Sequence, residues 1–144
     1  MKTRGIYGLG IFQILIGVGA VGGGLGLVLD PTGESLGMTA GWLAGSPFST
    51  FLIPGLFLFM VNGLGTLLGS VATFKIHKLA GEIAMALGAV MVLWIIIQVA
   101  IIGYTSFLQP LYFVVGLLEL LGGRWLRGHL RKVAVPDIAD TEYL

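Results

Sequence analysis

The chain has 144 residues, 56% of them hydrophobic and only 10% charged, with a formal net charge of +1 and a mean hydropathy of +0.99. A soluble domain is usually about 25% charged, and one of about 150 residues still leaves roughly a third of its unfolded surface in water, so this composition excludes a water-soluble globular protein and makes lipid the solvent. The small net charge without a long basic run excludes nucleic acid as a partner, and the absence of cysteine excludes disulfides, thiolate catalysis and cysteine metal sites.

Four apolar runs are long enough to cross about 30 Å of hydrocarbon, which takes roughly 20 helical residues. They cover residues 6–29, 51–74, 83–102 and 108–126. Backbone amides find no water in lipid, so runs of this length without strict alternation are helices. The expectation is an all-α fold, a four-transmembrane-helix bundle with one longer outer loop, forming a membrane domain over 1–132 and leaving a short acidic tail over 133–144. Orientation follows from Lys and Arg, which collect in cytoplasmic segments. Lys2 and Arg4 precede the first run, Lys75 and Lys78 separate the second from the third, and Arg124, Arg127, Arg131 and Lys132 follow the start of the inner end of the fourth, which accounts for all eight. The connections 30–50 and 103–107 carry no Lys or Arg. Both termini are therefore expected in the cytoplasm.

The long outer connection has its own chemistry. Asp30-Pro31-Thr32-Gly33 suits a type I turn, with Asp first, Pro presetting φ and Gly closing it. The mildly apolar stretch 35–44 with Trp42, a residue favoured at headgroup level, is expected to lie along the outer surface, and Ser46-Pro47-Phe48 follows it. Thr50-Phe51-Leu52-Ile53-Pro54 and Ser106-Phe107-Leu108-Gln109-Pro110 then open the second and fourth helices in the same way. A hydroxyl can cap the first free amides, Pro54 and Pro110 fall where few amides have helical partners, and Ser106 with Gln109 has the spacing of a capping box. Two readings stand for this likeness, a duplicated hairpin or convergence among apolar helix starts.

Glycine occurs 24 times, and in lipid small residues mark the surfaces where helix backbones approach. Gly19 with Gly23 and Gly22 with Gly26 stand four apart in the first helix, Gly65 with Gly69 in the second, and Gly88 and Gly116 lie on small-residue rows of the third and fourth. Each helix also carries a polar residue on a small-residue stripe. Gln13 falls in line with Gly10, Gly17, Ala20 and Gly24; Asn62 with Gly55, Gly65 and Gly69; Gln98 with Ala84, Gly88 and Met91; Glu119 with Tyr112, Gly116 and Gly123. These four side chains are expected to meet in the bundle interior. Glu119 has two readings, structural hydrogen bonding with a neighbouring amide or a place on a proton or ion pathway.

Nothing in the sequence assembles a catalytic or metal centre. His77 and His129 stand beside basic residues, Ser46, Ser49 and Thr50 have no base nearby, and no cofactor motif is present. Five segments together, Asp30-Pro31-Thr32-Gly33, Trp42-Leu43-Ala44-Gly45-Ser46-Pro47-Phe48, Leu52-Ile53-Pro54-Gly55, Trp94-Ile95-Ile96-Ile97-Gln98 and Leu108-Gln109-Pro110-Leu111-Tyr112, resemble an uncharacterised family of small bacterial four-helix integral membrane proteins. The resemblance runs over residues 8–123. It implies a bacterial inner-membrane location and brings no activity, substrate or catalytic residue with it. Three functions remain in view: a non-enzymatic structural or accessory subunit, joining itself or a larger membrane complex through its glycine faces; a small oligomeric transporter or channel lined by Gln13, Asn62, Gln98 and Glu119; and a lipid-binding protein using the outer loop. Membrane lipids are partners in all three.

Overall fold

The computed structural model describes residues 2–134, so the expected acidic tail lies outside the described residues from 135 onward. Four long helices follow one another: α1 (Lys2–Leu29), α2 (Leu52–Phe74), α3 (Ala80–Ile102) and α4 (Leu108–Ala134), with no strand among the described residues. Three of them, α1 to α3, are long and apolar enough to cross a membrane. Helix α4 is 27 residues long, but Gln109, Pro110 and Glu119 interrupt its apolar stretch and its last turns carry Arg124, Arg127, Arg131 and Lys132. Length and composition alone therefore do not class it with the other three.

Consecutive helices form two hairpins, α1 with α2 and α3 with α4, set side by side so that α2 also touches α3 and α1 touches α4. The start of α1, the end of α4 and the 75–79 connection lie at one end of the bundle, and the 30–51 and 103–107 connections at the other; these are the terminal end and the loop end below. The 75–79 connection closes α2 with the amide of Ile76 donating to Thr73 O and that of His77 to Ala72 O, a left-handed helix stop with Ile76 at φ 52°.

Glycine determines how close the helices come. A Cβ at Gly24 would stand 2.5 Å from Phe59 N, and one at Gly17 would stand 3.2 Å from Gly63 O. Gly10, Gly17 and Gly24, seven residues apart, therefore form the α1 face that α2 approaches. In the second hairpin a Cβ at Gly81 would stand 2.5 Å from Arg127 N, at Gly88 2.5 Å from Leu120 N, and at Gly123 2.6 Å from Met85 N. Gly116 closes against Gly88 O at 3.1 Å. The hairpins meet each other through Leu87, which approaches Gly69 to 2.9 Å and Gly65 to 3.2 Å from a Cβ position. The four-residue pairs of α1 lie elsewhere: Gly22 has open space, Gly19 has only the Tyr112 hydroxyl at 3.9 Å, Gly23 makes ordinary contact with Leu58 at 3.5 Å, and Gly26 meets Leu36 of the outer connection at 3.2 Å. At about 100° per residue, Gly10, Gly17 and Gly24 drift by only about 20° per step, whereas Gly19, Gly22 and Gly26 lie roughly 160° around the helix from that row and Gly23 about 100°, so the row of Gly10, Gly17 and Gly24 is the one facing α2.

Two further features shape the loop end. Residues Leu58–Gly65 of α2 form a π-helical stretch of 8 residues. The outer connection, built on short 3₁₀ turns at Glu34–Leu36 and Ala40–Leu43, does not lie flat along a surface. It folds over the bundle end, burying Leu43 and Phe51 against Leu27 with Met38, Trp42 and Phe48 packed around them. The two similar helix starts are used differently, since Phe51 is 4% exposed and Phe107 70%.

Gly88→Leu should lower stability by about 3 kcal/mol, since the added side chain meets backbone on α4, whereas Gly22→Leu should leave it unchanged within about 0.5 kcal/mol. Denaturant unfolding in mixed micelles, read by helical circular dichroism, measures both.

Candidate functional site

The polar residues of the bundle divide into two groups. Towards the terminal end, Gln13, Thr73 and Glu119 are fully buried. Gln13 donates from Nε2 to Glu119 Oε1 at 3.1 Å, and its Oε1 accepts from the Thr73 hydroxyl at 2.8 Å. That hydroxyl also lies 3.0 Å from Gly69 O, one helical turn back. Three helices, α1, α2 and α4, are thus joined in one hydrogen-bonded layer. The glycines at 10, 17 and 69 beside it make room for the side chains. Glu119 Oε2 has no protein partner. Just beyond this layer Ile6, Leu9, Ala80 and Leu126 form a buried apolar cluster, which seals the terminal end.

Asn62 and Gln98 do not join that layer. Asn62 lies eleven residues before Thr73, roughly 16 Å along the helix axis, inside the π-helical stretch. It is 2% exposed and its Oδ1 has no partner. Thr66 Oγ1, one turn further on the same face, also has none. Gln98 is half-buried on α3. Both Asn62 and Gln98 line a cavity of about 360 Å³ in the loop half of the bundle.

The cavity exists because side-chain size changes along the hairpins. Towards the terminal end α3 and α4 offer Gly81, Ala84, Gly88, Gly116 and Gly123, and the backbones touch. Towards the loop end α3 presents Met91, Trp94, Ile95 and Gln98, α4 presents Tyr112, and α2 presents Leu58 and Asn62, all of them lining the space between the hairpins. Trp94 stacks on Phe57 of α2 with ring centroids 4.3 Å apart, which holds the hairpins at an aromatic thickness. Met91, 1% exposed, lines the space and packs beside Gly116. The outer connection roofs it with Leu36, Met38, Trp42, Leu43, Phe48 and Phe51. No residue that lines it is charged.

Hydrogen bonds hold that roof and rim in place. Asp30 accepts from Thr32 N at 3.2 Å, from the Thr32 hydroxyl and from Ser35 N at 2.8 Å, while Gly33 N donates to Asp30 O at 3.0 Å to close the turn at Pro31. Gly33 sits at φ 77° with Phe51 and Met38 at under 3.0 Å from a Cβ position, so glycine is required there both by backbone and by space. Phe51 N donates to Pro31 O at 2.8 Å, tying the end of the connection to its beginning. Ser46 Oγ accepts from Phe48 N across Pro47 at 3.2 Å. Thr50 makes only a long contact with Leu52 N, 3.5 Å, and Pro54 follows in the first turn of α2, also at the cavity edge. At the other helix start Ser106 Oγ accepts from Leu108 N at 3.2 Å, Gln109 Oε1 accepts from Thr105 N and Ser106 N at 2.9 and 3.4 Å, and Gln109 Nε2 donates to Gly103 O at 3.2 Å. Pro110 follows, exposed, in the first turn of α4.

The cavity was not visible in the sequence, and neither was the part played by Thr73, which reads as an interfacial residue because Lys75 follows it. The aromatic pair Phe57 and Trp94 gave no spacing signal, since they meet only across the hairpins. Compared with known proteins, the chain matches no family model, no curated protein and no solved structure.

Glu119→Leu should cost about 1–3 kcal/mol because Gln13 Nε2 is left buried without an acceptor, while Glu119→Gln, which keeps an acceptor oxygen, should cost less than half as much; equilibrium unfolding of the two variants compares them. The hydrogen bonds from Thr32 and Ser35 pull the Asp30 carboxyl down from 3.8 to about 2. A folded-state value below the unfolded one means the turn is fully supported above pH 3.8 and loses that support as the pH falls through about 2. Hydrogen exchange at the Ser35 amide should therefore stay slow above pH 3.8 and rise, relative to the intrinsic rate, as the pH approaches 2, and Asp30→Asn should abolish this pH dependence.

Proposed function

We propose that this chain is a multi-pass protein of the bacterial inner membrane that crosses the bilayer four times, with both termini and the 75–79 connection in the cytoplasm. We propose further that it binds one apolar molecule from the outer leaflet in the loop-end cavity, without catalysing a reaction on it. Three apolar helices of spanning length support membrane residence. The fourth crossing is supported by the bonding of Glu119 to Gln13, which removes part of the cost of its one interior acid. Orientation is supported by the placement of every Lys and Arg at the terminal end and none in 30–50 or 103–107.

The observation that carries the binding function is the cavity itself. Its volume of about 360 Å³ is more than twice the roughly 150 Å³ that holds a benzene and falls within the range of ligand sites, about 300–1,000 Å³. Its walls are mainly aliphatic and aromatic, and a roof of its own covers it. The accessory-subunit reading keeps only part of its support: Gly23, Gly26, Gly65, Gly69, Gly88 and Gly116 are used in contacts within the chain, whereas Gly22 meets nothing and Gly19 only the Tyr112 hydroxyl at 3.9 Å. The transport reading has less support, because Gln13 bonds Glu119 and Thr73 while Asn62 and Gln98 line the cavity, so the four side chains do not line one route.

Native mass spectrometry of the protein released from its own membranes should show one retained small apolar molecule per chain. Leu58→Trp, which fills the cavity, should lower that occupancy at least about tenfold without unfolding the bundle. Equal occupancy in the two proteins, or no adduct in the parent, would count against binding in the cavity.

A further inference from the structure

The cavity is apolar but not uniformly so: Ser46, Thr105, Ser106 and Gln109 give it a polar rim, and Asn62 is a polar residue deep within it. Asn62 is the most buried polar residue that lines it, 2% exposed, with an oxygen that accepts nothing from the protein. A buried amide oxygen without a donor costs free energy unless something supplies one. The rim groups are in a different condition: Gln109, Ser106 and Ser46 are already bonded to backbone groups of their own helix starts and turn. Asn62 also sits inside the π-helical stretch of α2, the kind of local distortion that frequently accompanies binding sites because it turns a side chain away from its regular direction. The Gln98 amide and the Tyr112 hydroxyl line the same cavity from α3 and α4. Charge is absent from the lining, so a carboxylate, phosphate or ammonium group inside would be desolvated with no counter-charge, at heavy cost.

We infer that the ligand is an uncharged amphiphile, a long apolar chain or ring system bearing a hydroxyl group, bound with its hydroxyl inward against Asn62 and its apolar body extending past Trp94 towards the roof at Trp42. This rests on the proposal that the cavity holds an apolar molecule, and it specifies the polar end and direction of that molecule. A hydroxyl both donates and accepts, so it can pair with the Asn62 amide and with the Gln98 amide or Tyr112 hydroxyl that line the same space. A phospholipid cannot take this pose, because its charged headgroup would have to enter first, and a phospholipid tail entering alone would leave Asn62 without a hydroxyl partner. Neutral single-chain or polycyclic alcohols and acylglycerols fit the chemistry.

The cavity tryptophans provide the measurement. Trp42 and Trp94 line the space and Trp125 does not, so Trp125→Phe leaves only cavity fluorophores. In this background, in detergent micelles, three probes of equal chain length are titrated: a long-chain alcohol, an alkane and a carboxylate, each brominated at mid-chain to quench tryptophan on contact. The alcohol should quench saturably and bind about tenfold more tightly than the alkane, the equivalent of about 1.4 kcal/mol, and the carboxylate at neutral pH should bind no better than the alkane. Asn62→Leu should remove the advantage of the alcohol and leave the alkane unaffected. Alcohol and alkane binding alike in the unsubstituted cavity, or the carboxylate binding as tightly as the alcohol, would overturn the inference while leaving apolar binding intact. This comparison stands even if Asn62→Leu does not fold. Absence of saturable quenching by all three probes would instead overturn the underlying reading of the cavity, and the inference with it.

Discussion

Where two helix backbones touch, no side chain lies between them, and that condition holds at Gly24 against Phe59 and at Gly81, Gly88 and Gly123 against α4. In lipid there is no hydrophobic drive to press helices together, so this close packing, with the few hydrogen bonds it brings within reach, has to hold the bundle. The rotation of each helix follows from it. Once Gly10, Gly17 and Gly24 face α2, Gln13 is carried into the interior, and once Gly116 and Gly123 face α3, Glu119 is carried to it from α4. The Gln13–Glu119 bond is a consequence of backbone contact as much as a cause of assembly.

The same contacts account for the empty space. Glycine and alanine are concentrated in the terminal half of the α3–α4 hairpin, whereas its loop half carries Met91, Trp94, Ile95 and Tyr112. Between the hairpins, Leu87 packs onto Gly65 and Gly69 of α2 nearer the terminal end, whereas Trp94 and Phe57 keep α3 and α2 an aromatic thickness apart nearer the loop end, and the outer connection covers the opening there with Trp42, Leu43 and Phe51. Its position is secured by the Asp30 turn and by the bond from Phe51 N to Pro31 O. The roof is therefore a part of the fold with its own hydrogen bonds.

The division of polar groups has a functional consequence. A continuous polar path would require Gln13, Asn62, Gln98 and Glu119 to share one interior, but Gln13 bonds Glu119 and Thr73 while Asn62 and Gln98 line the cavity nearer the loop end. The layer of Gln13, Thr73 and Glu119 joins three helices and has the character of structural hydrogen bonding, with Glu119 Oε2 left without a protein partner. Asn62, whose Oδ1 also has no protein partner, stands at the cavity.

Hydropathy and charge are additive along a chain, and they sufficed for the helices and their approximate limits: 6–29, 51–74, 83–102 and 108–126 in the sequence became Lys2–Leu29, Leu52–Phe74, Ala80–Ile102 and Leu108–Ala134. The turn at Asp30, the paired side chains of Ser106 and Gln109, and the interior position of Gln13 and Glu119 were legible too, since each depends on local spacing or on depth along one helix. The choice between rows of glycine was not, because Gly19, Gly22, Gly23 and Gly26 satisfy the spacing rule as well as Gly10, Gly17 and Gly24 do, and only the partner helix selects one row. Nor was the cavity, for a volume between four helices is a difference between side-chain sizes on separate segments at rotations that no single segment specifies. Asn62 shows the limit most clearly: like Gln13 it is an amide on a small-residue stripe, but it lies roughly 16 Å along α2 from the Thr73 that bonds Gln13, inside a π-helical stretch that no periodicity in the sequence records, and it lines the cavity instead.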